Sequence, residues 1–123
     1  MKSRNFIPFQ YRKRSGKYNA QTQTVDGINF HSKKEAGYYQ QLKIEKRAKL
    51  IKGFERQVSY DLYAWSPTKE KLKVCCHIVD FVVVLPDGTT ECREVKGFAT
   101  STWDLKRKLF ESNFPETPYK VIR

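Results

Sequence analysis

The chain has 123 residues, 39% of them hydrophobic and 14% aromatic, which suits one domain with a real core and leaves too little chain for two. Lys and Arg number 24 against 13 Asp and Glu, a formal net charge of +11 with a pI of about 9.7; such an excess favours a polyanionic partner, nucleic acid ahead of an anionic membrane. No apolar run approaches the 18 or so residues of a membrane span, and Ile7, Phe9 and Tyr11 are too interrupted by polar residues for a signal-peptide core, so the expected setting is intracellular.

Residues 1–20 interleave Lys2, Arg4, Arg12, Lys13, Arg14 and Lys17 with Phe6, Phe9, Tyr11 and Tyr18. This reads as a flexible basic arm, either tracking phosphates with aromatics free to stack on bases or simply a frayed terminus. The remaining residues, 21–123, are expected to form the folded domain.

Asp26-Gly27 between Val25 and Ile28 is a strong signal for a tight two-residue hairpin. Ser32-Lys33-Lys34-Glu35 then has the spacing of a capping box and starts a helix expected to reach about Leu50, with Ala36, Tyr39 and Leu42 inward. Glu35 has two readings, a capping carboxylate or an acidic residue delivered to a functional site. Lys33 and Lys34 are candidate phosphate contacts in the same turn.

Glu55 to Trp65 alternates as a strand, and Lys71 to Leu85 is a second, longer strand paired with it. Pro86-Asp87-Gly88 suits a three-residue loop with Gly in the left-handed conformation, leading into a third strand that runs on to Lys96. If Leu85 and Thr89 close that loop, Asp80 lies opposite Glu94 on one face, with Lys96 as diagonal neighbour. Two opposed carboxylates repel, and Mg²⁺, which takes hard oxygen ligands and keeps several waters, would relieve both. The same spacing also fits a solvated hairpin face with Lys96 salt-bridged to Glu94, although Asp80 interrupts an otherwise apolar run.

His77 precedes Asp80 by three residues, so regular alternation sends it to the opposite face. Cys75, Cys76 and Cys92 lack any C-x-x-C or zinc-like spacing and read as reduced small core residues. A second helix over Ser101 to Asn113, capped by Ser101 or Thr102, directs Leu105, Leu109 and Phe110 inward; Trp103, Lys106, Arg107 and Lys108 are either a phosphate-contacting face or its solvated side. Pro115 and Pro118 end that helix, and Tyr119 to Ile122 makes a final strand.

The order helix with Glu35, strand with Asp80, hairpin, Glu94-Val95-Lys96 and helix resembles the PD-(D/E)XK nuclease superfamily, with Val79 where that superfamily usually has Pro. Lys17 to Ala20, Val25 to Phe30, Ser32 to Ala36 and Val95 to Phe98 also look like a family of small phage and prophage proteins of unknown function, itself similar to Holliday-junction resolvases. The resemblance implies a restriction-endonuclease-like α/β fold, a central mixed sheet with the hairpin at its centre and helices packed on it. It implies a Mg²⁺-dependent DNA endonuclease, with Mn²⁺ able to substitute, in the cytoplasm of a bacterial host. In that scheme Asp80, Glu94 and the Val95 carbonyl hold metal, Lys96 acts on the attacking water, and Glu35 is the helix-borne acidic residue. A branched or junction substrate needs two cuts, which would suit a homodimer. The alternatives are a non-catalytic nucleic-acid-binding accessory protein, or a transposase-associated or restriction-type nuclease subunit.

Overall fold

The computed structural model describes residues 22–68 and 70–123, so the basic arm expected over residues 1–20, with Arg12, Lys13, Arg14 and Lys17, lies outside the described residues. Among the described residues, two helices, a two-stranded ribbon and a four-stranded sheet give a small α/β domain. Packing divides the described residues into two compact units that part between Gln40 and Gln41.

In the first unit, β1 (Gln23–Val25) and β2 (Ile28–Phe30) pair antiparallel. Asp26 and Gly27 between them have φ of +54° and +77°, the two positive values that a type I′ turn demands and that Asp and Gly tolerate. The Tyr39 hydroxyl donates to Asp26 Oδ2 at 2.9 Å, and the Phe30 and Tyr39 rings pack 5.1 Å apart. Helix α1 (Lys33–Arg47) starts where the Glu35 amide donates to Ser32 Oγ at 3.1 Å, the N-cap half of the expected box.

The helix stops at Arg47, short of the expected Leu50. Lys49 takes a φ of +64°, its amide donates to Lys46 O at 3.0 Å and the Leu50 amide donates to Glu45 O at 2.9 Å. This is a Schellman C-cap with Lys in the position that Gly usually holds. Leu50 is consequently turned out to solvent and Ile51 is buried, and the next strand opens at Gly53.

The second unit is built on the order β3-β4-β5-β6. Strands β3 (Gly53–Ser66), β4 (Glu70–Val84) and β5 (Thr90–Val95) run antiparallel, and β6 (Tyr119–Ile122) joins β5 in parallel. The β4–β5 hairpin closes as expected: the Leu85 amide donates to Thr89 O, the Gly88 amide donates to Leu85 O, each at 2.8 Å, and Gly88 has a φ of +91°. Parallel β5 and β6 require a crossover, supplied by α2 (Ser101–Asn113). Its N-cap is Thr100, one residue before the expected cap, whose Oγ1 accepts from the Trp103 amide at 3.1 Å.

Leu62, Val79, Cys92 and Phe110 form the core, with Tyr60, Val82, Phe114 and Tyr119 packed against it; of the cysteines expected there Cys92 is buried and Cys75 half-buried, whereas Cys76 is exposed on the long outer part of β4. Burial selects one stripe of α2 through Trp103 and Phe110, whereas Leu105, expected inward, is 68% exposed; it lies two residues, about 200° of helix turn, from Trp103. At the bulge between Leu62 and Tyr63 the backbone loses its regular partner. Asn113 repairs this, accepting from the Tyr63 amide at 2.8 Å and donating to the Tyr63 carbonyl at 3.0 Å. Among the described residues no helix is long and apolar enough to cross a membrane.

Phe110 is fully buried, with ring centroids of Tyr60, Phe114 and Tyr119 at 4.9, 4.9 and 5.2 Å. Phe110→Ala is expected to cost about 3–5 kcal/mol. Leu105→Ala should stay within about 0.5 kcal/mol. Urea unfolding of both variants checks the assignment, and equal costs would refute this helix phase.

Candidate functional site

The hairpin ladder ends at Phe81 opposite Arg93. One step further, Asp80 and Glu94 face each other, and carboxylates take over from carbonyls as acceptors. The Asp80 amide donates to Glu94 Oε1 at 3.1 Å, and the Val95 amide donates to Asp80 Oδ2 at 2.9 Å. Each side chain thus binds the other strand's backbone, which satisfies amides that would otherwise be orphaned where the strands part.

The strand is irregular here. Val79 and Val82 both contribute to the same apolar cluster although three residues apart, which regular alternation forbids. Across from Asp80, Gln57 has a φ of +55°, and its Nε2 donates to Asp80 Oδ1 at a long 3.4 Å. The broken alternation also brings His77 to the side of Glu94, against the expectation from its spacing. His77 Nε2 and the Tyr119 hydroxyl are 2.8 Å apart, and that hydroxyl donates to Glu94 Oε1 at 3.3 Å.

Glu94 is 5% exposed, and burial, reinforced by the Asp80 charge, pushes its carboxyl up to about 7. Burial and then the Lys106 and Lys96 charges push His77 down to about 4, so the imidazole is neutral at physiological pH. Burial raises the Tyr119 phenol, with the Glu94 charge as the next cause.

Lys96 continues β5: its amide donates to Ile122 O at 2.9 Å, and its Nζ sits 5.1 Å from the Trp103 ring centroid, within the reach of a cation–π contact. Trp103 is buried, so the indole supports Lys96 and is not a surface for stacking bases. Of the basic residues beside it, Arg107 binds Asp104 at 2.9 Å and Glu111 at 2.8 Å, and Lys108 pairs with Asp104 at 3.2 Å. Lys106 has no ion-pair partner among the described residues, and its charge acts on His77. Lys33 and Lys34 are exposed in the first turn of α1 and Glu35 is buried there; all three belong to the first compact unit.

Among the described residues no group of three or more His, Cys, Asp and Glu side chains is arranged to hold a metal ion. Asp80 and Glu94 form a smaller donor set of hard carboxylate oxygens, one buried beside another of like charge. That set fits Mg²⁺, which commonly needs only one or two carboxylates and completes its shell with water and phosphate oxygens. Both hydrogen bonds to Glu94 fall on Oε1, so its Oε2 is the oxygen left for a cation.

Sequence reasoning missed His77, Tyr119, Gln57 and the supporting role of Trp103. Tyr119 lay in a strand legible only as a strand, and His77 was assigned by a period that fails at Asp80.

A family model described as protein of unknown function (DUF1064) matches residues 15–123, so the chain belongs to that family. Searches of curated proteins and of solved structures found no match.

A carboxyl raised from 4.5 to about 7 on folding binds its proton more tightly in the native state. Its contribution is therefore complete below pH 4.5 and is lost as pH rises through 7, about 3 kcal/mol in all. His77 acts oppositely, losing its contribution as pH falls from 6.5 towards 4. In chelator, Glu94→Gln should match wild type near pH 4.5 and exceed it by about 3 kcal/mol at pH 8. Thermal unfolding of both proteins across that range tests this; a gap independent of pH would exclude a strained Glu94.

Proposed function

We propose that this protein is a metal-dependent DNA endonuclease that hydrolyses phosphodiester bonds, with branched DNA as the preferred form by its resemblance to junction-resolving enzymes. The observation that carries the reading is the buried Glu94 carboxylate held against Asp80 at the end of the central hairpin, with Lys96 two residues on. A carboxylate buried beside its own kind is costly, and a site is where such a cost recurs.

In this reading Asp80 and Glu94 Oε2 would hold the cation, with the Val95 carbonyl as a further oxygen. A bound divalent cation supplies Lewis-acid polarisation of the scissile phosphate and neutralises charge developing there. Lys96 orients the attacking water, whose oxygen forms the new bond to phosphorus as the bridging P–O bond breaks and the leaving oxygen gains a proton. The Trp103 ring, 5.1 Å from the Lys96 Nζ, would steady that ammonium.

The net charge of +11 supports a phosphate-backbone partner and affinity that falls steeply with salt. Lys106, unpaired among the described residues and close enough to depress His77, is the α2 cation best suited to a phosphate. Arg107 is already neutralised by two carboxylates.

The deciding assay is cleavage of labelled four-way junction, linear duplex and single-stranded DNA with Mg²⁺, with Mn²⁺ and with chelator. Asp80→Ala and Lys96→Ala should each lower the cutting rate by about 10²–10³-fold while DNA binding persists. Wild-type protein that binds all three DNAs and cuts none under any metal would defeat the nuclease reading and leave an accessory binder.

A second measurement concerns the surface. Lys106→Ala should lower DNA affinity and reduce the salt slope by about 1, whereas Arg107→Gln should leave the slope unchanged. Equal slopes for the two variants would remove Lys106 from the interface.

A further inference from the structure

Glu94 reaches the site from β5 just past the end of its ladder with β4, while the ladder with β6 runs on through Val95; backbone pairing on that side leaves the side-chain rotamer to be anchored by other groups. Two donors converge on a single oxygen. The Asp80 amide donates to Oε1 at 3.1 Å and the Tyr119 hydroxyl donates to the same atom at 3.3 Å. Tyr119 is in β6, in register beside Cys92 of β5, so its hydroxyl approaches Glu94 from the strand on the far side from Asp80. The carboxylate is therefore clamped between β4 and β6.

Tyr119 is itself held. His77 Nε2 lies 2.8 Å from its oxygen, the two rings stack at 5.9 Å and 26°, and Phe110 and Trp103 close the other sides at 5.2 and 6.5 Å. A phenol has one hydrogen to donate. With that hydrogen spent on Glu94, the Tyr119 oxygen must accept from His77, which assigns the proton to Nε2. The result is a directed chain from His77 Nε2–H to Tyr119 O–H to Glu94 Oε1. Such chains polarise along their length, each donor strengthening the next.

We infer that Tyr119 is a positioning residue for Glu94, locking Oε1 so that Oε2 is presented to a divalent cation, and that His77 orients Tyr119 in turn. The inference rests on reading Asp80 and Glu94 as the cation ligands. It extends that reading to two residues that touch neither cation nor DNA, and it gives the buried histidine a task. Partners of this kind fix a ligand's orientation, and losing one typically weakens metal binding or activity by about 10–100-fold.

The test is calorimetric titration of Mg²⁺ and Mn²⁺ into the metal-free full chain, alongside melting temperatures in chelator. Tyr119→Phe keeps the ring and removes the donor; it should weaken cation binding by about 10–100-fold. His77→Leu should shift binding in the same direction. His77→Gln, whose side-chain Nε2 can donate in the same place, should return it towards wild type. Asp80→Ala serves as the reference that abolishes the site.

A merely structural role would lower the melting temperature in chelator and leave the folded protein's cation affinity alone. Wild-type affinity in folded Tyr119→Phe, with Asp80→Ala inactive in binding, would overturn the positioning role and leave the carboxylate site standing. The positioning chain is overturned in the same way if His77→Gln and His77→Leu behave alike. A wild type that binds neither cation, or an Asp80→Ala that binds as well as wild type, would overturn both the inference and the metal site beneath it.

Discussion

The structure turns on a crossed pair of hydrogen bonds at the end of the central hairpin, in which Asp80 and Glu94 each accept from the other strand's backbone. Beyond Phe81 and Arg93 the strands no longer pair residue to residue, and unpaired buried amides are costly. Carboxylate oxygens replace the missing carbonyls. That substitution holds the strands together while bringing two anionic groups into the same small space. Holding the strands together and keeping like charges apart are thereby set against each other in the same pair of residues.

The layer under this pair is aromatic. Phe110 from α2 packs edge-on against Tyr60 and Tyr119, at 87° and 61°, geometries worth about 0.5–1.5 kcal/mol each beyond the area they bury. The same layer includes His77 and Tyr119, which carry polar atoms into an otherwise apolar floor. Polar atoms there must be satisfied, and they are satisfied by one another and by Glu94. Core packing and the orientation of the site are therefore one arrangement, and a substitution in α2 reaches Glu94 through Tyr119.

Charge is distributed unevenly around this centre. Arg93 is largely buried and binds Glu91 at 2.7 Å and Glu45 at 3.5 Å, while Lys120 reaches Glu91 at 3.5 Å. These pairs tie the end of α1 to β5 and β6, and breaking a buried pair is far more costly than breaking an exposed one. Arg107 and Lys108 are likewise occupied by neighbouring carboxylates of their own helix. A large formal charge is thus a poor guide to which cations meet a partner, because much of it is balanced within the fold.

Short-range chemistry was legible in the sequence. Asp26-Gly27 admits a type I′ turn because both residues tolerate positive φ, and Pro86-Asp87-Gly88 closes at Leu85 and Thr89 for a similar reason. Once that loop is set, counting alone brings Asp80 opposite Glu94 and puts Lys96 beyond it. The order of helices and strands followed from such local signals, and the α/β class with a central hairpin from the resemblance that this order carries. What tertiary structure decided were the features that depend on contacts distant in sequence. Leu105 faces solvent because the sheet selects the Trp103–Phe110 stripe, and α1 ends at Arg47 because the backbone turns left-handed at Lys49 without glycine. His77 and Tyr119 are 42 residues apart, and they meet only because alternation fails at Asp80 while the crossover returns β6 beside β5. Periodicity describes a strand that pairs on regularly, and it loses its authority at the point where the ladder ends and side chains take over the backbone's hydrogen bonds.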